Sequence, residues 1–151
     1  MDTDQNKQIN TDKSKPGLLH EELSFKVRKC IFNVAKKYGK GLKEGIFQKA
    51  LAEEFTLSGI NFEQQKRITI YSVETGKALG VYVPDFVVED LIVIEIKATD
   101  FPLQKDIEQQ LSYLKISKYE VGLLVNFNTP KLYIKRLIYT NDRKPYIRVN
   151  Q

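Results

Sequence analysis

An apolar run from Leu91 to Ile94 is the feature that most restricts how this 151-residue chain can fold. Four consecutive aliphatic residues are typical of a strand whose two faces are both buried. Glu95, Ile96 and Lys97 continue the run directly, although charged side chains are rarely tolerated in a buried strand unless they are paired or bound to a metal. Because side chains alternate along a strand, Glu95 and Lys97 must share one face. The sequence therefore predicts a buried strand that presents an acid and an amine together.

Asp85 ends a second apolar segment, ten residues before Glu95. The segment from Leu79 to Val88 has the pattern of a strand, so we expect it to form an antiparallel hairpin with the strand that follows. A two-residue turn would place Asp85 opposite Ile94 and send Glu95 to the other face. A three-residue turn, or a bulge near Pro84, would place the two carboxylates side by side, and this is the register that we predict. Carboxylates on opposite faces would exclude a shared metal site.

Two carboxylates and an ammonium at one point of a sheet suit the hydrolysis of a phosphodiester. The substrate is negatively charged and gains negative charge in the transition state, and one or two carboxylates with water can hold a hard cation such as Mg²⁺. Asp85 and Glu95 would supply those ligands, and Lys97 would orient water or neutralise the developing charge. Two ordinary explanations stay open: an aspartate after proline is often a turn residue, and an acid two residues from a lysine is often a solvated ion pair.

The arrangement Pro84-Asp85, followed by Glu95-Ile96-Lys97, resembles that of the PD-(D/E)xK nuclease superfamily. The resemblance implies a restriction-endonuclease-like core, which is an α/β (α+β) fold with a mixed central sheet flanked by helices. It also implies a Mg²⁺- or Mn²⁺-dependent nuclease in which the backbone carbonyl of Ile96 joins Asp85 and Glu95 as a metal ligand.

More closely, the chain is similar to the small prokaryotic proteins named for their GxxExxY motif. The similarity covers about Leu19 to Tyr139 and rests on three blocks, which are Gly39 to Phe47, Gln109 to Leu114 and Val121 to Phe127. There are two departures from the motif. Phe47 occupies the position of the tyrosine, so any role of a hydroxyl is lost there. Lys40 occupies the position of an expected proline, which loosens the turn between the glycines.

The same resemblance assigns two helper residues, Glu44 and Gln109. Glu44 matches an acid that the helix before the sheet often supplies, and Gln109 matches a glutamine or lysine beyond the lysine strand. Each also has an ordinary explanation, because the helix dipole favours a glutamate in a first helical turn and exposed glutamine is common on helices. Gln109 and Tyr113 would be neighbours one turn apart on their helix.

Hydrophobic periodicity predicts one α/β or α+β domain over residues 18–151. The predicted helices are 20–38, 43–58 and 104–118, and the predicted strands are 62–72, 79–88, 91–98, 119–127, 131–139 and 146–149. Residues 74–77 and 141–144 are predicted hairpin turns. Residues 1–17 are expected to form a disordered polar tail, since Met1 and Ile9 are its only large apolar residues.

Single cysteine and histidine residues exclude several classes of site. One cysteine, Cys30, cannot form an internal disulfide or a four-thiolate iron-sulfur cluster, and its apolar helical surroundings predict a core position. The only histidine, His20, precedes the first helix, which argues against a histidine-rich zinc site and a Ser-His-Asp triad. No segment has the length of a membrane span or the pattern of a secretory signal, so we expect no membrane partner and a cytoplasmic location.

Basic residues are concentrated at two flanks around an acidic middle. Residues 26–49 hold eight Lys and Arg against one acid, residues 131–151 hold six against one, and residues 50–130 hold seven against twelve. For this set as a whole, solvated surface charge is the favoured explanation. Four lysines around the Gly39 turn are instead predicted to contact nucleic acid: Lys36, Lys37, Lys40 and Lys43.

These patterns favour a Mg²⁺- or Mn²⁺-dependent nuclease whose partner is nucleic acid, with DNA favoured over RNA. The second hypothesis is a non-catalytic nucleic-acid- or protein-binding module on the same fold, since the superfamily contains degenerate members. No apolar stripe identifies an interface between copies, so assembly into a homodimer is left open.

Overall fold

A five-stranded mixed β-sheet with helices on both faces forms the centre of the protein. The computed structural model describes residues 19–144. The helices are α1 (Glu21–Tyr38), α2 (Glu44–Leu57) and α3 (Gln104–Lys115). The strands are β1 (Phe62–Gln64), β2 (Ile68–Tyr71), β3 (Ala78–Tyr82), β4 (Phe86–Val88), β5 (Ile92–Lys97), β6 (Val121–Asn126) and β7 (Tyr133–Ile138). The predicted fold class is confirmed. Within the described residues, no helix combines the length and the apolar character needed to cross a membrane.

The strand order β1-β4-β5-β6-β7 places β5 at the centre of the sheet. β5 pairs antiparallel with β4 and parallel with β6, and β7 returns antiparallel to β6. A parallel pair needs a crossover connection, which α3 provides between β5 and β6. The carboxyl ends of β5 and β6 therefore lie side by side, at the end of a sheet where α/β proteins commonly bind ligands.

Two hydrophobic clusters lie on the two faces of β5. Ile92, Ile94 and Ile96 are fully buried in the cluster that contains α1 and α2. Val93 is fully buried on the other face, in the cluster that contains Leu114 of α3. The predicted alternation along this strand is confirmed. The charged residues of β5 consequently project from the face that α3 covers.

A three-residue turn joins β4 to β5. Phe86 pairs with Ile94, and residues 89–91 form the connection. Continuing this register by one residue sets Asp85 opposite Glu95, so the predicted alignment is confirmed.

Two residues of this turn adopt left-handed conformations. Glu89 has a φ of 52° and Asp90 a φ of 54°, which is unfavourable for residues other than glycine. The Asp90 carboxylate offsets this cost, because it accepts hydrogen bonds of 2.6 Å from the Tyr119 hydroxyl and 2.8 Å from the Lys118 ammonium. These contacts hold the turn against the segment that leads into β6.

Two of the predicted strands are interrupted. The segments 62–72 and 79–88 each contribute one strand to the central sheet and one to a separate two-stranded sheet of β2 and β3. Gln65 has a φ of 54°, and Pro84 lacks the amide hydrogen that a central strand needs. The prediction of single long strands was therefore wrong, and the pairing of the second segment with β5 is confined to Phe86–Val88.

Smaller differences concern the ends of elements. α3 ends at Lys115 rather than at residue 118, and Asn141–Arg143 form a 3₁₀ helix rather than a hairpin turn. Cys30 is buried in α1, as predicted. The tail expected at 1–17 and the strand expected at 146–149 lie outside the described residues.

Gly122 of β6 leaves room for the side chain of Gln110 on α3. A Cβ atom at Gly122 would lie 2.8 Å from Nε2 of Gln110, which donates hydrogen bonds to the carbonyl oxygens of Val93 and Leu123. We expect Gly122→Ala to force this buried amide aside and to lower the free energy of unfolding by about 1–3 kcal/mol, measured by urea denaturation.

The matched control is Gly45→Ala in α2. Its Cβ position is open, and alanine is the better helix former, so the free energy of unfolding should stay constant or rise by up to ~1 kcal/mol. Equal destabilisation by the two substitutions would contradict the close packing of α3 on β6.

Candidate active site

Three carboxylates and a lysine surround the carboxyl end of β5. Glu95 and Lys97 belong to β5, Asp85 directly precedes β4, and Glu44 is the first residue of α2. Burial raises the pKa of all three carboxyl groups, and the charge of Asp85 raises the pKa values of Glu44 and Glu95 further. The Lys97 ammonium acts in the opposite direction on all three pKa values. Acids with raised pKa values that influence one another are typical of functional sites.

The backbone of β5 holds Asp85. Oδ2 of Asp85 accepts a 2.7 Å hydrogen bond from the Ile96 amide, while Nε2 of Gln65 lies 3.5 Å from Oδ1. The N–H and C=O groups of one strand residue point to the same side, so the Ile96 carbonyl also faces the side of Asp85. Burial raises the pKa of the Asp85 carboxyl group, although the Ile96 hydrogen bond opposes the shift. Asp85 and the Ile96 carbonyl are thus fixed relative to each other.

Glu95 is partly buried and bonded to a tyrosine. The Tyr82 hydroxyl donates a 2.7 Å hydrogen bond to Oε2 of Glu95. Burial raises the pKa of Glu95 to about 7; the Tyr82 hydrogen bond opposes this shift and the Asp85 charge adds to it. A nearby cation would favour the charged form of this carboxyl group, because metal ligands bind deprotonated.

The pKa of Glu44 depends on more than its position at the start of α2. The dipole of α2 alone would favour the charged carboxylate and lower its pKa. Burial and the Asp85 charge instead raise the pKa of Glu44, and Nε2 of Gln48 donates a 3.4 Å hydrogen bond to its Oε2. This environment favours the functional assignment of Glu44, which stays a prediction.

Lys97 is paired with an acid that the sequence patterns did not single out. Nζ of Lys97 lies 3.9 Å from Oδ1 of Asp106, in the first turn of α3. The Asp106 side chain is 13% exposed, so it faces the site rather than solvent. Its helical spacing, one residue before the inward-facing Ile107 and four before Gln110, is the signal that could have identified it.

The sequence also pointed to the less buried of two neighbouring glutamines. Gln109 is exposed on α3, between Asp106 and Tyr113, and its role as a catalytic helper stays a prediction. Gln110 is buried and donates its amide hydrogens to two backbone carbonyls of the sheet. Its spacing of four residues from the buried Leu114 places it on the core side of α3.

The four lysines predicted to contact nucleic acid are exposed, but one of them has an internal partner. Nζ of Lys37 lies 2.6 Å from Oε2 of Glu54, a residue that is only 7% exposed and also accepts a hydrogen bond from Asn33. Lys37 therefore neutralises a buried carboxylate of α2. Lys37 is therefore less available to bind phosphate. The predicted phosphate contacts of Lys36, Lys40 and Lys43 are not affected by this pairing.

The loop that carries Lys40 and Lys43 is fixed by Asn128, just beyond β6. Oδ1 of Asn128 accepts a 2.6 Å hydrogen bond from the Gly41 amide, and Nδ2 of Asn128 donates one of 3.2 Å to the Leu42 carbonyl. The looser turn expected from Lys40 in place of proline is thus held by a side chain distant in the sequence.

Phe47 of α2 has a packing role at the position of the motif tyrosine. It is fully buried, and its ring stacks on Phe127 at 4.4 Å. The stack joins the first turns of α2 to the end of β6.

The donors around β5 suit a hard cation. Among residues 19–144, no group of three or more His, Cys, Asp or Glu side chains is placed to hold a metal ion. Asp85 and Glu95 with the Ile96 carbonyl would supply oxygen ligands only, and water would complete the coordination. Mg²⁺ and Mn²⁺ accept such a set, whereas Zn²⁺ prefers nitrogen and sulfur ligands. These residues therefore fit Mg²⁺ or Mn²⁺.

One of the comparisons with known proteins identifies a superfamily. The family model of the PD-(D/E)XK nuclease superfamily matches residues 21–137. Among solved structures, the crystal structure of SSO0001 is 23% identical with a TM-score of 0.49, and the match covers 70% of this chain and 54% of that chain. The chain thus spans about half the length of that protein. No curated protein matches the sequence significantly. The finer resemblance to the GxxExxY proteins stays a prediction.

Glu95→Gln removes a partly buried acid while keeping the shape of the side chain. The pKa of Glu95 is about 7 in the folded protein against an ordinary value of 4.5, so the unfolded chain loses this proton first as the pH rises. The folded state is therefore destabilised progressively between about pH 4.5 and pH 7, and the full effect remains above pH 7. We expect Glu95→Gln to raise the free energy of unfolding by about 1–3 kcal/mol at pH 8 in EDTA, and by much less at pH 4.5.

Urea denaturation at the two pH values measures this difference. Glu108→Gln is the control, because Glu108 is exposed on α3 and its replacement should change the free energy of unfolding by less than about 0.5 kcal/mol. A stabilisation by Glu95→Gln of equal size at both pH values would contradict the raised pKa.

Proposed function

The chain belongs to the PD-(D/E)XK nuclease superfamily, and on this basis we propose that it is a metal-dependent nuclease that hydrolyses phosphodiester bonds. Its resemblance to restriction-endonuclease-like enzymes favours DNA over RNA, and its donor set favours Mg²⁺ or Mn²⁺. One observation carries the proposal. Asp85 falls opposite Glu95 with raised pKa values for both carboxyl groups, and Lys97 follows on the same face of β5.

Asp85 and Glu95 are proposed to hold the cation, with the Ile96 carbonyl as the third protein ligand. A hydrogen bond to one oxygen orients each carboxylate, from the Ile96 amide to Asp85 and from the Tyr82 hydroxyl to Glu95. The other oxygen of Asp85 can turn to a cation, since its 3.5 Å contact with Gln65 is weak. When bound, Mg²⁺ or Mn²⁺ would polarise the phosphoryl group and lower the pKa of a coordinated water.

Lys97 is proposed to position the attacking water and to neutralise charge that develops on the phosphate. Its 3.9 Å separation from Asp106 is long for a hydrogen bond, so the three ammonium hydrogens remain available to water and substrate. The Asp106 charge keeps the ammonium directed toward α3 and the end of β5. Glu44 and Gln109 are helper residues in this proposal, Glu44 through its charge beside Asp85.

Phosphate contacts are proposed for Lys36, Lys40 and Lys43. The loop with Lys40 and Lys43 ends at Glu44 and is fastened by Asn128 beyond the carboxyl end of β6. Lysines at this place would meet the strand of nucleic acid beside the reacting phosphate. Lys37 contributes less, because its ammonium is paired with Glu54.

A non-catalytic nucleic-acid-binding module is the second candidate. One observation favours it: the Asp106 carboxylate lies 3.9 Å from the Lys97 ammonium and offsets part of its positive charge. In that case the loop lysines would still bind nucleic acid, but no bond would be cleaved.

Cleavage of single-stranded, double-stranded and branched DNA and RNA with Mg²⁺ or Mn²⁺ tests the proposal. We expect wild-type protein to cleave a DNA substrate, and Asp85→Asn, Glu95→Gln and Lys97→Met each to lower the rate by about 100-fold or more. EDTA should abolish cleavage by the wild type.

Two exposed residues of α3 provide matched controls, Glu108→Gln for loss of a carboxylate and Lys105→Met for loss of an ammonium. Both should cleave at the wild-type rate. Absence of cleavage by folded wild-type protein, with nucleic-acid binding that Asp85→Asn leaves unchanged, would exclude the nuclease and favour the binding module.

A further inference from the structure

Tyr82 lies beside the candidate metal site, although it is not one of the proposed metal ligands. It is the last residue of β3, in the two-stranded sheet, and is only 5% exposed. Its hydroxyl donates the 2.7 Å hydrogen bond to Oε2 of Glu95. Three residues later the same segment delivers Asp85, so one stretch of chain brings both a carboxylate and a tyrosine to the end of β5.

The ring of Tyr82 is held by a second tyrosine. It stacks on Tyr113 of α3 with the ring centroids 4.0 Å apart and the planes 5° from parallel. A buried tyrosine hydroxyl needs a hydrogen-bond partner, and Glu95 is the one that this ring position provides. The stack therefore fixes where the hydroxyl lies and hence where it contacts the Glu95 carboxylate.

The hydroxyl of Tyr82 donates its one hydrogen to Oε2 of Glu95. This bond restrains rotation of the carboxylate group, because Oε2 is engaged while Oε1 is left to other partners.

Three residues of α3 support the acid and the lysine of β5 from one face of the helix. Asp106, Gln110 and Tyr113 are spaced by four and three residues, as neighbours along one face are. Asp106 contacts Lys97, Gln110 bonds to the Val93 carbonyl, and Tyr113 stacks on the ring that reaches Glu95.

We propose that Tyr82 is a positioning residue for Glu95, held by the stack on Tyr113, and that it orients this carboxylate for a divalent cation. The inference rests on the proposed function, because it assumes that Glu95 is a metal ligand. Hydrogen bonds to ligating carboxylates orient them, and their loss typically weakens metal binding by about 10- to 100-fold. Tyr82 itself touches neither the cation nor the substrate.

Mn²⁺ binding by the 151-residue chain, measured by isothermal titration calorimetry, tests this role. We expect Tyr82→Phe, which keeps the ring and its stack, to raise the Kd for Mn²⁺ by at least about 10-fold. The affinity for DNA in EDTA should change little. Replacement of a purely structural tyrosine would leave the Kd for Mn²⁺ unchanged.

Tyr113→Phe is the matched control, because it also removes one hydroxyl but keeps the aromatic stack, and its Kd should stay within about 2-fold of wild type. Tyr113→Leu removes the stack and should weaken Mn²⁺ binding while Tyr82 is unchanged. It also provides the test if Tyr82→Phe does not fold.

The possible results separate the two proposals. Wild-type binding that is lost in Glu95→Gln but retained at full strength in Tyr82→Phe would overturn the role of Tyr82 and leave the metal site intact. Absence of Mn²⁺ binding by wild type would overturn both. Equal weakening by Tyr82→Phe and Tyr113→Phe would assign the effect to packing and would likewise overturn the positioning role.

Discussion

The 2.7 Å hydrogen bond from the Ile96 amide to Asp85 ties the residue before β4 to the backbone of β5, and the candidate site depends on it. It can form because the three-residue turn sets Asp85 opposite Glu95. A slip of one residue would send every side chain of β4 to the other face, including the fully buried Phe86. The same slip would separate the two carboxylates. Burial of the hydrophobic core and assembly of the site thus require one register.

Burying the charged acids at this site costs folding free energy, and burial of aliphatic side chains in the rest of the sheet offsets that cost. Burial raises the pKa values of Glu44, Asp85 and Glu95, which means that the folded state disfavours their charged forms. The surrounding strand residues are fully buried aliphatic side chains, each of which stabilises the fold by roughly 1.5–3 kcal/mol. A cation bound between the carboxylates, as we propose, would relieve their mutual repulsion.

Local patterns in the sequence were sufficient for the fold class, the buried β5 strand and the alignment of Asp85 with Glu95, because each follows from periodicity and turn length. They failed where a contact joins distant segments. The interruption at Pro84, the inward position of Gln110 and the pairing of Lys37 with Glu54 all depend on which elements pack together. Tyr82 escaped notice for the same reason, since a tyrosine in a strand gives no sign of the carboxylate that it will meet.

α3 is linked by contacts to both the acid and the lysine of β5. One face of this helix reaches Lys97 through Asp106 and reaches Glu95 through the stacked rings of Tyr113 and Tyr82. A displacement of α3 would therefore move both functional groups together. Residues that share a supporting element in this way have non-additive effects, so substitutions on α3 and on β5 should couple although they lie on different elements. The geometry of the site is thus a property of the packed sheet and helix rather than of the Glu95-Ile96-Lys97 segment alone.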